Sequence, residues 1–403
     1  MCGIAGFCNF KEDFEENTDY WNFRLEKMRA VLSHRGNDAR GRYLKKHIGL
    51  SHSRLAIRDI LCGDQPMTRT HNGYEYTICY NGEIYNTDEL IPELSENGFV
   101  CSTTSDTEVI LYAYIHWGAD FVNRLNGIFA FAIWDATKKR LLLYRDRVGV
   151  KPLFYAIRGD SLVFGSEPKA CFAHPAVKPE LDKQGLQELL AIGPAHTSGL
   201  SLFKDLFEVL PGHFMIYSRD GLHDETYWEL TSREHTESYR DTVAHTRFLV
   251  EDAIKRQMVS DVPVCTFLSG GIDSSIVTAI AANYMNTRGK TLNTFSFDFK
   301  DNDRYFKANT FQPERDLPYV NRMLDEYETA HSYLECDENS LFKALFAAVD
   351  AKDMPGMTDV DSSLLYFCSL VSRKNKVALT GECADEIFGG YPVSYTHLRA
   401  HET

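Results

Sequence analysis

The pattern of apolar residues changes once along the chain, near residues 210–239, and this change constrains the fold more than any other feature. On its N-terminal side, short β-type runs such as 128–133 and 141–144 are separated by Gly, Asn and Asp turns. On its C-terminal side, strand-like runs such as 264–268 and 292–297 alternate with segments of helical periodicity. The sequence therefore predicts a strand-dominated first half, and a second half built on a parallel sheet that helices cover on both faces.

The length of 403 residues favours two or three domains, and the 44% hydrophobic content is enough to bury real cores. Pro211 and Gly212, followed by a polar run at 231–238, indicate the connection between the halves. We expect domains at 2–210 and 239–392, a linker at 211–238 and a non-native tail at 393–403.

The composition excludes several classes of function. A formal net charge of −14, from 57 acidic and 43 basic side chains, disfavours binding to a nucleic acid backbone. No basic segment precedes an apolar core near Met1, and no run reaches the ~18 apolar residues that cross a bilayer. The ten Cys show no CxxC pair or metal-ligand spacing, so we expect reduced thiols in a cytoplasmic protein without a membrane partner.

Cys2 is a candidate nucleophile because removal of Met1 would make it the first residue. The thiol would then share its Cα with a free α-amine, whose ordinary pKa of about 7.7 to 8.0 lets it accept a proton near neutral pH. On these two residues alone, the alternative of a small apolar side chain at the start of a strand is the better interpretation.

Motifs downstream of Cys2 favour the nucleophile. They are His34-Arg35-Gly36, then RLAI at 54–57, NGEIYN at 81–86, SDTE at 105–108, RDRVGVKPLFY at 145–155 and FGSE at 164–167. In this order, the chain from Cys2 to about Pro211 resembles the class II glutamine amidotransferase domain, an N-terminal-nucleophile (Ntn) type with an α+β sandwich of antiparallel sheets. One departure is Asn37, where the family usually has Pro, and it affects the local loop rather than the nucleophile.

The resemblance implies a role for each matching residue. Cys2 would attack the side-chain amide of glutamine, while Asn81 and the backbone N–H of Gly82 would donate to the oxyanion. Arg54 resembles the residue that holds the glutamine α-carboxylate, and Glu83 and Asp106 resemble the acceptors for its amino group. Taken singly, Asn81-Gly82 is typical of a plain turn, and the charged residues are typical of a solvated surface.

A second motif, SGGIDSS at 269–275, lies between an apolar run and a helix-like stretch. Small residues let the backbone approach a phosphate, and a helix N-terminus presents N–H groups to it. GxxxxGK[ST] is absent, so this is not a Walker loop. The motif resembles the pyrophosphate (PP) loop of α/β ATP pyrophosphatases, which implies Mg²⁺ on Asp273 and ATP at Phe267, Leu268, Ser269, Gly270, Gly271, Asp273, Ser274, Ser275, Phe297, Thr380 and Gly381.

A third motif, TGECADEIFGGY at 380–391, follows the strand-like run at 377–379. It resembles the stretch that lines the adenylate in the asparagine synthetase family, with Glu382 as a catalytic carboxylate and Asp385 as a second Mg²⁺ ligand. A solvated loop is the alternative for both. DVDSS at 359–363 resembles part of the aspartate pocket, although Asp361-Ser362 is also typical of a helix N-cap.

Together these motifs resemble the glutamine-hydrolysing asparagine synthetase family. The resemblance implies conversion of aspartate to asparagine with glutamine and ATP through a β-aspartyl-AMP intermediate, and a possible homodimer. The alternatives are a β-lactam synthetase-like relative and a non-catalytic interaction module. Residues 393–403 resemble read-through of a sequencing adapter, so we expect an incomplete PP-loop domain that binds Mg·ATP weakly and retains chiefly glutaminase activity.

Overall fold

A computed structural model describes residues 1–308 and 314–391, which form two compact units. The first contains residues 1–234 and 349–357, and the second contains the remaining described residues from 235 onward. The predicted tail at 393–403 lies outside the described residues. Within the described part of the chain, no helix combines the length and the apolar character needed to cross a membrane.

Two antiparallel sheets form the centre of the first unit. Their strands are β1 (Gly3–Asn9), β2 (Ala39–Lys45), β3 (Ile48–Arg54), β4 (Met67–His71), β5 (Tyr74–Ile84), β6 (Gly127–Asp135), β7 (Arg140–Arg145), β8 (Phe154–Arg158), β9 (Ser161–Gly165), β10 (Phe207–Glu208), β11 (His213–Ser218) and β12 (Gly221–Thr226). The orders are β10-β8-β9-β1-β3-β2 and β12-β11-β7-β6-β5-β4. The helices are α1 (Thr18–Ala30), α2 (Thr87–Glu96), α3 (Asp106–Trp117), α4 (Pro168–Phe172) and α5 (Lys183–Ala191).

Alternation along the strands produces the layers of this unit, because successive side chains point to opposite faces of a sheet. In β6, Phe129 and Phe131 pack towards α2 and α3, whereas Ala130 and Ala132 face the core between the two sheets. In β1, Phe7 packs with residues of α1 and α4 on the other outer face. The resulting order of layers is helix, sheet, sheet, helix, which confirms the predicted sandwich.

The predicted linker at 211–238 is wrong in part. Residues 213–226 form the hairpin of β11 and β12, and β11 pairs with β7, so this stretch belongs to the second sheet. The cause is the apolar run from Phe214 to Tyr217, in which Phe214 is buried on one face of the sheet and Met215 and Tyr217 on the other. The other predicted domain limits stay predictions.

The second unit is a four-stranded parallel sheet of order β15-β14-β13-β16. In chain order the elements from residue 239 onward are α6 (Tyr239–Arg256), β13 (Val264–Phe267), α7 (Ile272–Asn286), β14 (Leu292–Phe299), α8 (Asn302–Tyr305), α9 (Leu317–Glu326), β15 (Thr329–Cys336), α10 (Glu338–Lys352), α11 (Thr358–Val371), β16 (Val377–Leu379) and α12 (Ala384–Phe388), and the last turn of α10 is counted in the first unit. Val264 packs with α7 on one face and Cys265 packs with α11 on the other, which confirms the predicted α/β architecture.

Candidate functional site

The Cys2 thiol lies just before β1 and contacts the backbone of Leu55, beyond the end of β3. Its Sγ accepts a hydrogen bond from the Leu55 N–H at 3.4 Å and donates to the Leu55 carbonyl at 3.6 Å. Burial raises the pKa of this thiol, although the Leu55 N–H acts in the opposite direction. The thiol is therefore protonated near neutral pH and needs a base to become a nucleophile.

One cleft brings together five of the predicted glutamine-site residues: Cys2, Arg54, Gly82, Glu83 and Asp106. Arg54 is the last residue of β3, Gly82 and Glu83 lie near the end of β5, and Asp106 begins α3. The cleft therefore forms where the ends of two strands and one helix meet. Residues that are distant in sequence share it because both strands end at this edge of the sandwich.

Asn81 lies on β5 directly before Gly82 and Glu83, which line the cleft, and it is 1% exposed. Its Nδ2 is buried and has no hydrogen-bond partner. An unpaired buried amide costs about 1 to 3 kcal/mol, so such a group requires an explanation. At Gly82, an added Cβ would lie 2.3 Å from the Ile128 carbonyl oxygen, which explains why a residue without a side chain is needed here.

The guanidinium of Arg54 is buried and holds the loop at 58–64. It donates to the carbonyls of Arg58, Asp59 and Ile60 and to the carboxylate of Asp64, the last at 3.0 Å. The Asp64 side chain is 74% exposed, so it is the solvent-facing member of this set of acceptors.

Glu83 and Asp106 carry two carboxyl groups that line the same cleft. Asp106 Oδ2 accepts from the Tyr80 hydroxyl at 2.9 Å and from the Ile84 N–H at 3.1 Å. Burial raises the pKa of both, and the Asp106 charge raises that of Glu83 further. Arg58, 3.9 Å from Asp106, opposes both shifts. Sequence reasoning missed Arg58, whose only signal was its position four residues after Arg54.

Three further side chains, to which the sequence assigned no role, support the N-terminal segment. Arg35 donates to the Cys2 carbonyl at 2.8 Å and to Glu167 Oε1 at 2.7 Å, and His34 Nε2 lies 3.0 Å from the same oxygen. Burial alone would raise the pKa of Glu167, but His34 and Arg35 outweigh it and hold the value at about 2. Both motifs, HRG and FGSE, were visible in the sequence, but their pairing was not.

The candidate phosphate loop connects β13 to α7. Gly270 has a φ of +84°, and the Oγ of Ser274 accepts from the Ser269 N–H at 3.2 Å and donates to the Gly271 carbonyl at 3.1 Å. The loop therefore turns sharply before the N-terminus of α7, where Ser275 already belongs to the helix. This arrangement supports an anion by N–H groups and the helix dipole.

The loop after β16 packs against the start of α7. A Cβ on Gly381 would lie 2.7 Å from the Ser274 nitrogen, and Asp273 lies close enough to Asp385 for electrostatic coupling: burial raises the pKa of Asp273, and the Asp385 charge raises it further. Two such carboxylates fit a hard cation that also binds phosphate oxygens. Among residues 1–308 and 314–391, no group of three or more His, Cys, Asp and Glu side chains forms a metal-binding cluster.

The remaining predicted nucleotide residues lie on or directly after β13, β14 and β16. Leu268, Ser269 and Phe297 line a cleft at the carboxyl ends of β13 and β14. The rings of Phe267 and Phe297 both pack on Phe367, with ring centres 4.6 Å and 5.1 Å apart, on the sheet face that α11 covers. Thr380 follows β16 directly, at the same edge of the sheet.

The position of the 359–363 stretch corrects one interpretation. The helix begins at Thr358, so Asp361 and Ser362 lie inside α11 and are not its N-cap. The Ser362 hydroxyl donates to the Thr358 carbonyl one turn earlier, as serine often does within a helix. Glu382 is exposed on the loop after β16, and all ten Cys are free thiols.

Comparison with known proteins gives two family matches. Residues 1–228 match the glutamine amidotransferase domain family, and residues 245–403 match the asparagine synthase family. Glutamine-hydrolysing asparagine synthetase 3 of Bacillus subtilis is 48% identical over 397 residues, which cover 98% of this chain and 64% of the relative. The chain therefore spans slightly under two thirds of that relative's length.

Two more distant relatives extend the comparison. A relative from Methanocaldococcus jannaschii that carries the name of a glutamine-hydrolysing asparagine synthetase is 32% identical over 429 residues. The match covers 100% of this chain and 77% of the relative. The amidase chyE of Penicillium rubens is 32% identical over 409 residues, with 97% of this chain and 59% of the relative covered.

Proposed function

Because the chain belongs to the glutamine-hydrolysing asparagine synthetase family, we propose that its first unit releases ammonia from glutamine and that its second unit activates aspartate with ATP. The observation that carries the first half is the single cleft shared by Cys2, Arg54, Gly82, Glu83 and Asp106. Glutamine, aspartate and ATP are the proposed substrates. The homodimer, the cytoplasmic location and the absence of a nucleic acid partner stay predictions.

Glutamine hydrolysis requires removal of Met1. The freed α-amine of Cys2 takes the thiol proton, and the thiolate attacks the side-chain amide carbon of glutamine. The oxyanion of the tetrahedral adduct receives hydrogen bonds from the Asn81 Nδ2 and the Gly82 N–H, which explains the unpaired amide of Asn81. The ammonium of Cys2 returns its proton to the leaving nitrogen, ammonia departs, and water then hydrolyses the thioester to glutamate.

Recognition of the rest of glutamine is assigned to three charged residues. The α-carboxylate replaces the exposed Asp64 carboxylate on Arg54, while the guanidinium keeps its bonds to the loop carbonyls. The substrate ammonium lies against Glu83 and Asp106 and offsets the cost of burying two carboxylates together.

The second unit is assigned the activation step. The aspartate β-carboxylate attacks the α-phosphorus of ATP and pyrophosphate leaves, which gives β-aspartyl-AMP; ammonia then displaces AMP and forms asparagine. The loop at 269–275 would hold the phosphates, and Asp273 and Asp385 would hold a Mg²⁺ ion that neutralises the pyrophosphate charge. Glu382 would take a proton from the attacking ammonia.

Replacement of the nucleophile tests both halves. We expect Cys2→Ala to abolish ammonia release from glutamine, while Cys62→Ala, at an exposed thiol, leaves it unchanged. In a version extended to the full length of its relatives, supplied with ATP and labelled aspartate, Cys2→Ala should lose asparagine formation from glutamine but keep it with ammonium. Hydrolysis at the wild-type rate by Cys2→Ala would refute the nucleophile, and a failure of the extended protein and its Cys2→Ala variant to use ammonium would refute the aspartate step.

A further inference from the structure

Two cations outside the predicted glutamine site approach the side chain of Met1. Lys151 Nζ lies 3.2 Å from the Met1 sulfur, and Arg35 Nη2 lies 3.9 Å from it. Lys151 is 8% exposed, although a lysine is rarely buried to this extent. A thioether is a weak acceptor, so Met1 does not account for a buried ammonium at this position.

The loop that carries Lys151 is fixed. The Asp146 carboxylate accepts hydrogen bonds from the backbone N–H groups of Val150 and Lys151, both at 2.9 Å. Arg145 Nε donates to the Lys151 carbonyl at 3.1 Å. The backbone of Lys151 is thus held on both sides by contacts that do not involve Met1.

The charged groups that act on the Met1 amine and on the Cys2 thiol come from four elements. Arg35, in the turn after α1, and Lys151, in the loop after β7, are cations, while Glu83 on β5 is an acidic group. Arg54 on β3 acts on the neighbouring thiol. Burial lowers the pKa of the amine at the chain start to about 5 when Met1 is present, and Arg35 and Lys151 act in the same direction.

We infer that Lys151 is a positioning residue for the N-terminal base: its ammonium faces the α-amine that loss of Met1 leaves on Cys2. A second positive charge is unfavourable beside it, so the amine stays neutral and free to accept the thiol proton. This inference rests on the proposed glutaminase. It assigns Lys151 a charge-based role that holding the loop would not require.

The pH dependence of glutamine hydrolysis tests this role, in protein whose loss of Met1 has been verified by intact mass. We expect Lys151→Met to move the acid limb of kcat/KM to higher pH by about one unit, because removal of a nearby cation raises the pKa of the amine. Lys151→Arg keeps the charge and should leave the limb in place. Lys138→Met, at an exposed lysine in the turn between β6 and β7, is the matched control.

Glu83 could also set this limb, since Lys151 acts on its pKa too. Protein labelled with ¹³C at cysteine separates the two groups, because the Cα signal of Cys2 follows its own amine; the signal is identified by its loss in Cys2→Ala. We expect a wild-type amine pKa below the ordinary value of about 7.7 to 8.0, and a higher one in Lys151→Met.

Three outcomes would overturn the inference. Equal pKa values of the Cys2 amine in wild type and Lys151→Met would overturn it even if the acid limb of kcat/KM moved. A rate that falls by one factor at every pH would show a structural role only, with the glutaminase intact. Absence of glutaminase from the wild type, or its retention in Cys2→Ala, would instead refute the proposed function on which the inference rests.

Discussion

Arg35 donates its Nε–H to the carbonyl oxygen of Cys2 over 2.8 Å, and its other arm is held by Glu167 at 2.7 Å. The nucleophile is thereby fixed through its backbone, while its thiol exchanges hydrogen bonds with the backbone of Leu55. Because the pKa of Glu167 is about 2, its carboxylate stays ionised and keeps Arg35 in place over the whole pH range in which an amine can act as base.

The Arg35 contact gives the first prediction. Arg35→Ala should lower kcat for glutamine hydrolysis by about 100-fold, because an error of about 1 Å in the position of the thiol costs that much. Steady-state ammonia release measures it, and Arg42→Ala, at an exposed arginine on β2, is the control. Equal loss in both variants would show that the effect is not positional.

The unpaired amide of Asn81 gives the second prediction. Asn81→Ala should lower kcat by about 100 to 1,000-fold with little change in KM, since the donor acts on charge that develops only in the transition state. Asn97→Ala, at an exposed residue, should leave both constants unchanged. A rise in KM at constant kcat would place Asn81 in substrate binding instead.

The raised pKa of Glu83 gives the third prediction. The group is ionised only well above the ordinary value of 4.5, and the substrate ammonium needs the ionised form. KM for glutamine should therefore rise as the pH is lowered from about 8 towards 6, and Glu83→Gln should raise KM about 10 to 100-fold and remove this dependence. Glu75→Gln, exposed on the same strand, is the control. A KM that is flat with pH in the wild type would contradict it.

The sequence predicted the two architectures because both depend on local periodicity. The apolar run at 128–133 in β6 and the run Val264 to Phe267 in β13 each indicated a strand, and each strand buries side chains on both faces. The hairpin of β11 and β12 was missed because its outer strand is largely exposed and reads as a polar connection.

Long-range pairings were not predictable in the same way. Cys2 and Arg54 stood in motifs, but Lys151 and Glu167 act on the nucleophile from more than 140 residues away. No spacing encodes such contacts, because they depend on which strands become neighbours. Phe267 and Phe297 add a contact that no motif indicated, because both rings pack on Phe367 in α11. Nucleotide contact by these two residues stays a prediction.

The fourth prediction concerns Gly381, whose Cα faces the start of α7. A Cβ there would lie 2.7 Å from the Ser274 nitrogen and 2.7 Å from the Asp273 carbonyl carbon, and backbone atoms cannot rotate away. Gly381→Ala should therefore displace the phosphate loop and lower the free energy of unfolding of the second unit by about 1 to 3 kcal/mol. Gly271→Ala is the matched control, since its Cβ would meet only the Ser269 Oγ at 3.6 Å and its φ of −67° suits any residue.

The measurement can separate the two units because the four Trp, at 21, 117, 134 and 228, all belong to the first. Urea unfolding followed by Trp fluorescence should be unchanged in both variants. Hydrogen exchange at amides of α7 should accelerate in Gly381→Ala and not in Gly271→Ala, because local opening of that helix becomes less costly only in the former. Unchanged exchange in Gly381→Ala would mean that the loop after β16 yields to the methyl group, and that close packing of the two loops does not fix the phosphate site.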